Sequence, residues 1–125
     1  MEPEHEPLFT VDEADAALPE LRERLARIRE ARQAILRAAE RIKGRIATDG
    51  GGHDGRDHWE ASAVLRAEIV HLSERGIILR DPETGLVDFP AEIDGNRVYL
   101  CWQLGEERVA YWHDIDTGFV GRKPL

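Results

Sequence analysis

Cysteine occurs once in this chain, at Cys101, which excludes an internal disulfide framework and fits a reducing compartment. Serine occurs only at Ser62 and Ser73, with no G-x-S-x-G elbow around either, so nothing points to a serine nucleophile. There is no P-loop and no G-x-G-x-x-G turn to cradle phosphates. No stretch approaches the roughly 20 apolar residues that cross a bilayer. The start, Met1 to Pro7, is acidic and lacks the basic-then-apolar order of a secretory leader. An excess of basic charge is missing too: the net charge of −8 argues against a generic polyanion partner. These absences leave a cytoplasmic protein without a membrane segment, and 125 residues suffice for one domain with a real core.

What is present falls into two rhythms. Residues 1–7 carry three glutamates and two prolines and read as a disordered acidic tail. Thr10 with Glu13 forms a capping box that opens a short helix over 11–18. Pro19, which cannot donate to Asp15, is then expected to begin a second, long helix. Along it Leu21, Leu25, Ile28, Ile35, Ala39, Ile42 and Ile46 keep steps of three and four, broken only by Arg32, as in a coiled-coil seam. Thr48 to His53 is a glycine-rich breaker. The next helix runs from an N-cap at Asp57 to Arg75, anchored by Trp59, with Leu65, Ile69 and Leu72 inward and Gly76 as C-cap. Two amphipathic helices joined by a short glycine loop predict an antiparallel hairpin over 8–76.

After Gly76 the period becomes two. Strands are expected at 77–79, 86–93, 97–104 and 108–114, with Asp81 to Gly85 a turn and Asp94-Gly95 a two-residue hairpin turn. Centring that turn pairs Ile93 with Asn96, Ala91 with Val98, Phe89 with Leu100 and Val87 with Trp102, so the apolar residues share one face. The last strand has two registers: one puts Val109, Tyr111 and His113 on the core side, and a bulge puts Ala110 and Trp112 there. The expected fold is therefore α+β, one domain over 8–125, with the hairpin packed on a small three- to four-stranded antiparallel sheet over 77–125. Such a sheet covers only part of the hairpin, so a second copy is expected to bury the rest in a four-helix contact.

Polar groups able to do chemistry gather in the sheet and tail. The hairpin register sets Asp88 opposite Cys101 on the face away from the apolar one, and Asp114 is expected to join them. With His113 and Asp116 these residues supply carboxylate, thiolate and imidazole, the donors of zinc-like divalent ions. Their spacing matches neither C-x-x-C pairs nor H-E-x-x-H. The plainer reading makes Asp114 and Asp116 turn formers, His113 a hydrogen-bonded sheet histidine and Cys101 a small buried hydrophobe. His53-Asp54 with Asp57-His58 looks ligand-like but lies in a flexible loop that cannot preorganise a site. From Glu20 to Arg45 nine Lys or Arg face four Glu, which is the solvated face of a coiled-coil helix rather than a nucleic-acid stripe.

Thr84-Gly-Leu-Val-Asp-Phe-Pro90, Val98-Tyr-Leu-Cys-Trp102, Leu104-Gly-Glu106 and Tyr111-Trp-His-Asp114, with Gly118-Phe119 and Gly121-Arg122, resemble the bacterial uncharacterised family called domain of unknown function 2203. Phe9 to Ala14 and Leu18-Pro19-Glu-Leu21 are similar to its opening. The resemblance implies a bacterial cytosolic protein without an assigned activity. Two functional expectations stand: a homodimeric interaction or regulatory module, or a metal-binding, hydrolase-like enzyme. The enzyme would use His113, Asp114, Asp88, Cys101 and Asp116 as ligands, Glu106 as general base and Arg122 for an anionic substrate group.

Overall fold

The structure, a computed structural model, describes residues 8–45 and 52–125. The acidic tail, Ile46 and most of the glycine linker lie outside these residues, as do the side chains of His53 and Asp54. Helix α1 spans Val11–Arg45, helix α2 spans Gly52–Glu74, and the strands are β1 (Ile78–Asp81), β2 (Leu86–Ile93), β3 (Asn96–Gln103), β4 (Tyr111–Asp114) and β5 (Lys123–Pro124). The sheet is antiparallel and ordered β1-β2-β3-β4-β5, so the architecture is α+β with five strands rather than three or four. The extra strand is the short closing edge formed by Lys123 and Pro124 against Tyr111 and Trp112.

The capping box forms as expected: the Thr10 backbone N–H donates to Glu13 Oε1 at 2.9 Å and the Glu13 N–H donates to Thr10 Oγ1 at 3.0 Å. The helix it opens does not stop at Pro19, because Ala14, Ala17, Leu18, Leu21, Leu25 and Ile28 form one buried stripe on both sides of the proline. Pro19 itself is exposed, so its ring faces solvent while the packed stripe carries the helix past the missing N–H. Beyond Ile28 the buried positions are Ala31 and Ala38, and Ala39 is exposed, so the seam turns relative to the heptad expectation.

Helix α2 starts five residues earlier than expected. Gly55 and His58 line a hollow with Ala39, Ile42 and Lys43, so the first turns of α2 lie along the end of α1. Asp57 is therefore inside the helix rather than its N-cap, and Trp59 is 71% exposed rather than an anchor. Of the α2 seam only Leu72 is fully buried; Leu65 is half-buried and Ile69 is exposed. Arg24 and Arg27 reach Glu68 at 2.8 and 3.0 Å, and Arg75 reaches Glu20 at 2.7 Å, tying the two helices together. Gly76, at φ 83°, ends α2, and the Ile77 N–H returns to the Leu72 carbonyl at 3.0 Å.

In the β2–β3 hairpin Asp94 and Gly95 both have positive φ, 52° and 84°, the geometry of a primed two-residue turn. The register is the expected one throughout, from Ile93 opposite Asn96 to Val87 opposite Trp102. Val87, Phe89, Ala91, Val98, Leu100 and Trp102 face the helices and close the core with Leu21, Leu25 and Ile28. The last long strand is shorter than expected, four residues at 111–114, because the preceding loop is tied elsewhere: the Val109 N–H donates to Asp15 Oδ1 at 2.7 Å.

Candidate functional site

The β3–β4 register decides which polar groups meet. Leu100 faces Trp112 and Tyr99 faces His113, so Trp112 packs toward the helices while Tyr111 and His113 lie on the outer face with Asp88 and Cys101. Val109, ahead of the strand, is also in the core. This is the bulged alternative for the strand, with Val109 retained inside.

Asp88, Cys101 and His113 each offer a donor atom within 4.8 Å of the other two. They are 2%, 0% and 2% exposed. His113 Nδ1 lies 2.7 Å from the Asp114 carbonyl oxygen, and Nε2 lies 3.0 and 3.1 Å from the two Asp88 carboxylate oxygens. Arg80 Nε donates to Asp88 Oδ2 at 2.8 Å, and its guanidinium rests over the Tyr99 ring at 5.1 Å. Burial pushes the Cys101 thiol up to about 11; the Arg122 guanidinium, 3.6 Å from Sγ, pulls the other way and the Asp88 charge adds to the rise. Arg122 forms an ion pair with Glu106 and stacks over Tyr111 at 4.0 Å and Phe119 at 4.5 Å.

Two of the expected ligands stand apart. Asp114 pairs in register with Val98, which places it on the helix side at the sheet edge, exposed, with Lys123 3.6 Å away. A one-residue step along a strand changes the face, so His113 and Asp114 cannot both join the cluster. Asp116 is exposed in the turn after β4, outside the donor group. Glu106 and Arg122 are close to the cluster but engaged with each other, and Glu106 also accepts the Gln103 N–H at 2.9 Å. The residue missed in the sequence is Arg80. Its signal was the alternation Ile78, Arg80 continuing beyond Leu79, where the strand was expected to end.

Part of the basic face of α1 is spent on internal contacts. Arg22 donates to the Glu107 carbonyl, Arg29 to the Glu83 carbonyl, and Arg32 lies near the Glu83 carboxylate. This leaves no stripe of open cations along these positions for a phosphate backbone.

By fold and site this is a small α+β protein carrying a sealed Asp–His–Cys cluster on the outer face of its sheet. The chain belongs to the family described as Uncharacterized conserved protein (DUF2203), whose pattern matches residues 7–125. No curated protein and no solved structure matches it. No described helix is long and apolar enough to cross a membrane.

Proposed function

We propose that the protein is a non-catalytic, self-associating module in which a second copy covers an apolar surface shared by α2 and β1. The observation that carries this reading is the continuity of that surface. A hollow lined by Ser62, Leu65, Arg66, Ile69 and Val70 meets, at Ile69, a second one lined by Ile78, Leu79 and Pro90. Ile69 and Val70 are 39% and 47% exposed although they lie on a helix that packs in the core at Leu72. β1 is the outermost strand of the sheet, so one side of its backbone has no strand neighbour among the described residues. An open edge beside exposed isoleucine and valine favours pairing with an identical edge across a two-fold axis. The contact would bring the two α2 helices together, which keeps the expected helical interface but moves it toward the sheet.

Light scattering on the untagged chain tests it. The expected mass at micromolar concentration is twice the 14.2 kDa of one chain. Val70→Glu, placed on the exposed side of α2, should give a folded monomer. A wild-type chain that stays monomeric across the micromolar range refutes the reading.

The second reading, a metal-dependent hydrolase, draws on the convergence of Asp88, Cys101 and His113. Its catalytic half has less support. Glu106 holds Arg122 and the Gln103 N–H, so neither a free base nor a free anion-binding guanidinium is on offer. The three donors are also sealed, whereas a hydrolytic ion needs a position open to water and substrate. The donors support ion binding better than turnover.

A further inference from the structure

We propose that Asp88, Cys101 and His113 form a three-ligand site for a divalent ion of the zinc class, held within the sheet rather than displayed for catalysis. The strands supply the placement. Asp88 and Cys101 are direct partners on β2 and β3, and His113 stands on β4 two residues beyond Tyr111, the partner of Cys101, so three adjacent strands present carboxylate, sulfur and imidazole on one face, His113 diagonally. A tetrahedral ion with bonds of about 2.0–2.3 Å needs donors about 3.3–3.8 Å apart. The three donor atoms already lie within 4.8 Å of one another, and the Asp88–His113 pair is at 3.0 Å. The difference between that separation and the tetrahedral spacing is about 1 Å.

The second observation is the histidine ring. A carbonyl oxygen only accepts, so Nδ1, 2.7 Å from the Asp114 carbonyl, must carry a proton. In the neutral ring Nε2 then presents its lone pair to the Asp88 carboxylate, itself an acceptor. Only a proton or a cation between them relieves that opposition. An Nδ1–H fixed by a main-chain carbonyl, with Nε2 turned to a shared carboxylate, is the arrangement that orients a histidine for a metal. Arg80 donates to Asp88 Oδ2 at 2.8 Å and Arg122 lies 3.6 Å from Cys101 Sγ, so outer partners orient both ligands toward the group.

The donor set names the ion. Thiolate with imidazole favours zinc, cobalt, nickel or copper over magnesium and calcium, which take oxygen. On binding, the Cys101 S–H bond breaks as the sulfur–metal bond forms and the proton leaves to solvent. Any proton held between Nε2 and the Asp88 carboxylate leaves to solvent in the same way as the ion takes its place, and no atom changes oxidation state.

Cobalt(II) is the probe, because Cys101 is the only cysteine and a thiolate-to-cobalt charge-transfer band can have no other origin in this chain. The untagged chain, purified without chelator, should develop that band together with tetrahedral d–d bands, saturating at one ion per chain. One equivalent of zinc should abolish both. Cys101→Ser should remove the charge-transfer band, and His113→Gln should weaken binding about tenfold or more. A folded wild-type protein that gives no thiolate band, or a band that survives Cys101→Ser, overturns the proposal. Either result leaves Arg80, Asp88 and His113 as a closed ion-pair network.

Discussion

Cys101 and Gly85 show how strongly single positions are held in this sheet. Cys101 is fully buried and its thiol is pushed up to about 11 by that burial, from an ordinary value of 9.0. At pH 8 the thiolate fraction therefore falls about a hundredfold, and the thiolate is the reacting species. Iodoacetamide followed by mass spectrometry should label the folded, metal-free chain at least about 100-fold more slowly than the chain in guanidinium. Equal rates would show an accessible thiol and contradict the packing. Gly85 sits at φ 74°, and a Cβ there would lie 2.7 Å from the Leu104 Cβ. Gly85→Ala combines a left-handed backbone with a backbone-anchored clash, and should cost about 2 kcal/mol or more in a denaturant melt. The pairing of Asp88 with Cys101 was legible because Asp94-Gly95 fixes a register that alternation then confirms. The side taken by Asp114 was not, since it depends on how the loop at 104–110 is spent. That loop is held locally by Trp102 Nε1 on the Glu106 carbonyl and, across the fold, by the Val109 N–H on Asp15, a long-range bond that leaves no local sequence signature.

Among the elements, α1 carries the clearest conflict between local preference and packing. Proline inside a helix removes one main-chain bond, here the one to the Asp15 carbonyl, yet the buried stripe from Ala14 to Ile28 runs through it. The expectation of two helices followed local chemistry alone; the uninterrupted spacing of Ala14, Leu18, Leu21 and Leu25 was the signal for one. Because Pro19 is exposed, Pro19→Ala loses no packing and restores a donor, so it should stabilise the protein by about 1 kcal/mol. A lower melting temperature would mean that the helix needs the proline's bend. The α1–α2 pairing has its own pH signature. Burial raises the Glu68 carboxyl, but the hydrogen bonds from Arg24 and Arg27 outweigh it and leave it below the usual 4.5. A carboxyl depressed in the folded state stabilises the fold above its unfolded value, and that contribution is lost as pH falls through the folded value. Glu68→Gln should therefore cost about 1 kcal/mol near neutrality. The gap to wild type should close as the solution is acidified below the ordinary carboxylate range. A gap independent of pH would assign the cost to packing instead.

At the scale of the whole molecule, burial is lopsided. The core cluster joins the sheet to the first half of α1 and to Leu72, whereas beyond Ile28 the fully buried side chains of α1 are Ala31 and Ala38. Alanines bury little area, so the far part of the hairpin has less apolar surface holding it than the part on the sheet. The even heptad rhythm concealed this: spacing marks which side of a helix faces a neighbour, while the amount of burial depends on how much neighbour there is. Hydrogen exchange followed by mass spectrometry should find the amides of 35–44 and 55–64 opening faster than those of 14–28. Protection over 62–70 and 77–80 should rise with protein concentration if a second copy covers Ile69, Val70 and the β1 edge. Val70→Glu should abolish that rise while the slow amides of β2 and β3 stay slow. If protection there is the same at every concentration, the apolar surface of α2 and β1 belongs to a monomer.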